Sequence, residues 1–273
     1  MSEASFLDKT GNRIRDKRGG TRRGAGRPKT GKRVGVRHRR REAFRPNQPL
    51  HITMRVDSSA ETGVGSLRRR FMYAALRAAS VVASKFDDAR IVHLSIQRTH
   101  VHMIVEAQSR EALGQMIKSF AGSAAKTINR AIGQRTGEKR TGGVFVDRYH
   151  VEVLRSPAQT RHALSYVLNN WRKHGDHRDD AMQGWRVDPF STGFKLDGWR
   201  EGLHLDRERF WSDFEPLSVW PARTWLLTTG WRMYGLIGVR EKPGEWAFAR
   251  KQAKRDERIW RDLALERERM NMD

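Results

Sequence analysis

The 273-residue chain carries 54 Lys and Arg against 31 Asp and Glu, ten His and no Cys, for a formal charge of +23. Without Cys it has no disulfide, thiolate zinc site or cysteine nucleophile, which suits a reducing cytosol. No run approaches the roughly eighteen apolar residues of a membrane span, and Met1–Thr10 lacks the apolar stretch of a secretory signal, so no membrane partner is expected. The length accommodates one large domain or a core domain with extensions, and the charge calls for an acidic partner, nucleic acid first.

Residues 1–45 hold sixteen Lys and Arg and four Asp and Glu, a net of +12. Gly19, Gly20, Gly24, Gly26 and Gly31 punctuate this stretch and apolar residues are few, so it cannot bury enough surface to offset the entropy of ordering. It reads as a disordered basic DNA-binding arm. Arg22, Arg23, Arg27, Pro28, Lys29, Lys32, Arg33, Arg37, Arg39, Arg40 and Arg41 are its candidate DNA contacts. The core Gly26-Arg27-Pro28 resembles an AT-hook, in which a narrow extended arm lays Arg into an A·T-rich minor groove. The plainer alternative is a solvated polycation.

From Leu50 the pattern changes. Leu50, Ile52, Met54 and Val56 alternate with His51, Thr53 and Arg55 at strand period. Leu67, Phe71, Ala74, Ala78 and Val82 then form a helical stripe. Val92, Leu94 and Ile96 share one strand face, and Val101, Met103 and Val105 share another after the turn at Arg98-Thr99. A second helix runs through Leu113, Ile117, Phe120, Ala124, Ile128 and Ala131 and is expected to stop at Gly133. After the Gly137–Gly143 loop, Val144–Leu154 reads as a fourth strand. The order β-α-β-β-α-β predicts an α+β, ferredoxin-like sandwich over residues 46–175.

One more helix follows. Ser156-Pro157-Ala158-Gln159 combines an N-cap Ser, Pro at the first helical position and Gln at the third, and Gly175 supplies the stop. Its apolar stripe is Leu164, Val167, Leu168 and Trp171; Tyr166 and Asn170 lie off it, one turn apart. Residues 176–242 form a Trp-rich extension, with Trp185, Trp199, Trp211, Trp220, Trp225 and Trp231 among Arg and Gly. Stacking on DNA bases is one use for these rings; anchoring the extension onto the core is the favoured one. Residues 243–273 mix both charge signs and suit a solvated helix or frayed tail.

Chemistry concentrates in two places. His100 and His102 sit two apart on one strand, so both imidazoles project from the face opposite Val101, Met103 and Val105 and make half a metal site. Tyr166 offers a phenol that can attack phosphorus, and Asn170 an amide oxygen as a hard third ligand. Two nitrogens and an amide oxygen leave room for phosphate oxygens and water, which suits Mg²⁺ or Mn²⁺.

Together, Thr99-His100-Val101-His102-Met103-Ile104-Val105-Glu106 and the later Tyr166-Val167-Leu168-Asn169-Asn170 resemble the HUH motif and nucleophile helix of single-tyrosine transposases. The Asn, together with Arg148-Tyr149-His150, is similar to the REP-associated branch; the insertion-sequence branch carries Gln there. The resemblance spans Leu50–Gly175. It implies that Tyr166 attacks a DNA phosphate to give a 5′-phosphotyrosine and a free 3′-hydroxyl. His100, His102 and Asn170 would hold the metal, Arg148 would touch DNA, and the substrate would be single-stranded DNA bearing a hairpin, with A·T-rich duplex flanks for the arm. The expected setting is the bacterial cytoplasm, at the nucleoid. The alternatives are a domesticated hairpin-binding protein that no longer cuts, or a related HUH nickase for replication or conjugation. No Walker-type phosphate loop occurs, in keeping with bond energy conserved in the phosphotyrosine.

Overall fold

The computed structural model describes residues 42–57, 64–146, 148–202 and 214–245. The arm residues 1–41 with their AT-hook-like segment, Trp211, and the tail from residue 246 lie outside the described residues.

The core follows the expected order: β1 (Leu50–Arg55), α1 (Arg70–Ala83), β2 (Ala89–Ile96), β3 (His100–Ala107), α2 (Arg110–Thr136), β4 (His150–Val153) and α3 (Pro157–Lys173). The strands form one four-stranded sheet in the order β2-β3-β1-β4, with every neighbouring pair antiparallel. This is the α+β, ferredoxin-like arrangement that the sequence order predicts. Alternation divides the sheet into two faces. Leu50, Ile52, Met54, Val101, Met103 and Val105 are buried in one core with Leu76 and Ala79 of α1 and Ile117 and Phe120 of α2. The opposite face carries His51, Thr53, Arg55, His100 and His102, and here α3 crosses β2 and β3.

Two boundaries differ from expectation. Helix α2 runs past Gly133 to Thr136 and stops at Gly137, whose φ of 75° is the left-handed C-cap conformation that glycine adopts without strain. The fourth strand is shorter than Val144–Leu154. Phe145 makes only an isolated bridge to Val56, out of register with the Thr53↔His150 pairing, so the regular ladder begins at His150.

The largest difference concerns α3. Its start is as read: Ser156 Oγ accepts from Gln159 N at 3.2 Å and Pro157 opens the first turn. Beyond the apolar stripe the helix buries two further faces. Leu164, Val167, Leu168 and Trp171 enter the core. A second face, Arg161, Ser165, Asn169 and Arg172, is laced to residues 235–241 of the extension. The Arg161 guanidinium donates to the Gly235 and Leu236 carbonyls and holds the Glu241 carboxylate through two bonds of 2.9 and 2.8 Å. Burial works to raise the Glu241 carboxyl, but hydrogen bonds from Arg161 and Ser165 outweigh it and hold it below its usual range. The third face, His162, Tyr166 and Asn170, turns toward the histidine-bearing side of the sheet.

The extension also covers the open edge of β2. Ile96 N donates to Phe190 O, Thr192 N to Leu94 O and Trp220 N to Ile91 O, each at 2.8 or 2.9 Å, which removes a free edge that would pair with other chains. Trp185, Trp199 and Trp231 are buried, in keeping with anchoring, whereas Trp220 and Trp225 stay partly exposed. Among the described residues no helix is long and apolar enough to cross a membrane.

The Arg161–Glu241 pair generates a direct test. Arg161 is fully buried, so removing the carboxylate it holds, in Glu241→Ala, should cost about 3–5 kcal/mol of stability, read as a lowered denaturant midpoint. Arg161→Met with Glu241→Met should cost much less than Glu241→Ala.

Candidate active site

The register Thr53↔His102 and Arg55↔His100 sets both imidazoles of the His-x-His pair beside β1. Their ring centroids are 4.5 Å apart and nearly perpendicular. Tyr166 reaches them from α3, its ring 5.1 Å from His102 and 5.8 Å from His51, both edge-on. Lys173 Nζ stands 5.3 Å over the Tyr166 ring and His162 lies one turn before it at 6.4 Å. His51, His100, His102, His162 and Tyr166 line a cleft of about 650 Å³ between α3 and the sheet, together with Arg55, His150, Glu152 and His174. The structure therefore brings His100, His102 and Tyr166 into one space.

Asn170 is placed differently. It is fully buried on the Tyr166 face of α3, is not one of the cleft-lining residues, and both its amide atoms lack hydrogen-bond partners. Arg148 is exposed in the segment before β4, two residues from cleft-lining His150. The other candidate DNA contacts, Arg22 to Arg41, lie outside the described residues.

Burial keeps His100 and His102 in the neutral form. His102 is held far down, to about 2, first by burial and then by the neighbouring His51, His100, His174 and Arg55. Burial, with His174 and Arg55, brings His100 to about 4. His102 Nδ1 lies 3.1 Å from both His51 Nε2 and Thr53 Oγ1, while its Nε2 is buried without a partner. Glu152 is lowered to about 2, chiefly by neighbouring His51, whose Nδ1 lies 3.8 Å from its carboxylate. Among the described residues no three His, Cys, Asp or Glu converge as a metal site, so a cation here needs a neutral oxygen ligand or water beside the two imidazoles.

Sequence reasoning missed His51, Glu152, His162 and His174. His162 had an available signal, four residues before Tyr166 on the same helix face. His51 and Glu152 join the site only through strand pairing, at His51↔Glu152 and Thr53↔His102.

Residues 51–170 match the family model described as Transposase IS200 like. Over this segment the chain is similar to IS200-like transposases. The match begins at His51 and ends at Asn170, so it takes in His100, His102, Tyr166 and Asn170 but stops short of His174. No curated protein matches the chain. The solved structure of a REP-associated tyrosine transposase bound to a REP hairpin is 18% identical, covering 70% of this chain and 95% of that one at a TM-score of 0.41. A crystal structure from Deinococcus radiodurans R1, named as a transposase, is 12% identical over 49% of this chain and 89% of its own at 0.31.

The fold should be acid-sensitive. An unfolded His binds a proton near pH 6.5, whereas His100 and buried His93 resist protonation to about 4 and His102 to about 2. Unfolding between pH 6.5 and 4 therefore takes up protons, and stability falls with pH by at most about 1.4 kcal/mol per unit for each imidazole. Denaturation of metal-free protein at pH 7.5 and 5 should reveal this slope, and His93→Gln should make it shallower.

Proposed function

We propose that the chain cleaves and rejoins single-stranded, hairpin-bearing DNA through a covalent bond to Tyr166, with His100, His102 and Asn170 holding Mg²⁺ or Mn²⁺. The observation that carries this reading is the Tyr166 ring 5.1 Å from His102, across a cleft into which a partnerless imidazole nitrogen is built. A core imidazole kept for stability would have its second nitrogen hydrogen-bonded. His102 Nε2 is instead buried and unsatisfied, and among the residues with such atoms His102 is the one that lines the cleft; the amide of Asn170, one turn beyond Tyr166, is likewise buried without a partner. Two neutral nitrogens and an amide oxygen fit a borderline-to-hard divalent cation with positions left for phosphate and water.

The chemistry supplied by such a cation is neutralisation of phosphate charge and polarisation of a phosphoryl oxygen. The remaining work falls to the chain. Tyr166 Oη attacks phosphorus as the P–O3′ bond breaks, so the phenol proton is lost and the departing oxygen gains one to become a 3′-hydroxyl. The reverse attack by a 3′-hydroxyl restores the phosphodiester and the phenol. His162 and His51 flank the Tyr166 ring, and burial lowers His162 so that it is a neutral base at physiological pH. Lys173, over the ring, adds positive charge where a phosphate approaches.

Asn170 and the Arg148-Tyr149-His150 run support the REP-associated branch, and with it a folded hairpin as substrate. Arg148 is proposed to contact that DNA, and the basic arm to bind duplex flanks at the bacterial nucleoid.

Incubation with labelled single-stranded hairpin DNA and Mn²⁺ should give a DNA–protein band that resists denaturant. Tyr166→Phe removes one hydroxyl and should abolish the band while binding stays within about twofold. A wild-type protein that binds the hairpin without any adduct would favour the non-cutting alternative. Deleting residues 1–41 should flatten the slope of log K against log salt by about 3 to 7, if roughly four to eight arm charges meet phosphates. Cleavage at saturating protein should survive that deletion.

A further inference from the structure

We infer that Glu152, acting through His51, is a positioning residue that fixes the tautomer of His102, placing its proton on Nδ1 and leaving Nε2 bare for the cation. The inference rests on the metal reading of the cleft and goes beyond it, since neither His51 nor Glu152 is a proposed ligand.

The geometry is a chain of contacts across three strands. His102 Nδ1 lies 3.1 Å from His51 Nε2, and His51 Nδ1 faces Glu152 Oε2 at 3.8 Å. A hydrogen bond between two ring nitrogens holds one proton, so one nitrogen must donate and the other accept. A carboxylate only accepts, so the nitrogen that faces Glu152 is the one on which His51 carries its hydrogen. With its hydrogen on Nδ1, His51 presents a lone pair at Nε2, and His102 Nδ1 becomes the donor. The opposite tautomer would place an N–H on His102 Nε2, which is buried with no acceptor in reach. Thr53 Oγ1, also 3.1 Å from Nδ1, can accept or donate, so it follows whichever tautomer His51 imposes.

Glu152 is itself held from α3. Gln159 Nε2 donates to Glu152 Oε1 at 3.1 Å, and Gln159 is the residue whose backbone N–H is capped by Ser156. The first turn of the Tyr166 helix thus reaches the imidazole on β3 through Glu152 and His51. Metal-bound imidazoles are commonly oriented by a carboxylate or carbonyl on the second nitrogen, and loss of that partner weakens metal binding by about 10–100-fold. Here the carboxylate acts at one remove, with a second imidazole between.

Two readouts on the full-length, metal-free protein test this. Long-range ¹H–¹⁵N correlation at pH 7.5 should show His102, assigned by its loss in His102→Gln, protonated at Nδ1 and bare at Nε2. Titration with Mn²⁺ should give a Kd raised about 10–100-fold in His51→Phe, a smaller rise in Glu152→Gln, and a change within about threefold in His51→Gln, whose amide oxygen can still accept from Nδ1. A wild-type His102 protonated at Nε2 would overturn the inference, as would a His51→Phe protein with an unchanged Kd. Because Glu152 is half exposed, Glu152→Gln should fold, and a persistent pure Nδ1–H tautomer in it would remove Glu152 from the chain. Failure of the wild type to bind Mn²⁺ would sink the metal reading separately, leaving the tautomer measurement to judge the positioning.

Discussion

A fully buried guanidinium must find anions and carbonyls or the helix that carries it will not pack. Arg161 meets that demand with Glu241 and the Gly235 and Leu236 carbonyls, all from the far side of the Trp-rich extension. Through this contact α3 is pressed between the extension and the histidine-bearing face of the sheet. Ser165, Asn169 and Arg172 repeat the attachment along the helix, so its rotation about its own axis is fixed over its length. That rotation decides whether Tyr166 faces His102 or solvent. Residues beyond the matched segment thereby set the placement of Tyr166.

Much of the core was legible because its signals are local. Leu50/Ile52/Met54 and Val101/Met103/Val105 alternate at period two, and parity alone put His100 and His102 on the face away from the core. Ser156-Pro157 and Gly175 marked the ends of α3 from sequence. Gly133 misled because one glycine inside a long helix is tolerated when its neighbours pack, and Ile128 and Ile132 do. The fourth strand was read too long because Val144 and Val146 have strand-like residue types, whereas pairing depends on a partner register that sequence does not display.

The polar faces of α3 were the harder part. Arg161, Ser165, Asn169 and Arg172 look like a solvated stripe, and only long-range contacts with residues 235–241 turn them inward. His51 and Glu152 were invisible as site residues for the same reason: each is a polar position on an alternating strand until β1 pairs with β3 and β4. The two imidazoles and the tyrosine could be named from spacing; what supports them is a property of the assembled sheet.

The proposed ligand set rests on a buried, partnerless nitrogen of His102 facing the Tyr166 cleft, with Asn170 one helical turn beyond Tyr166. The most direct check is pulsed electron paramagnetic resonance of Mn²⁺ bound to the full-length protein. The spectra should contain ¹⁴N couplings from two imidazoles, with one lost in His100→Ala and the other in His102→Ala. Bound Mn²⁺ whose spectrum shows no histidine nitrogen, or couplings untouched by both substitutions, would contradict the account.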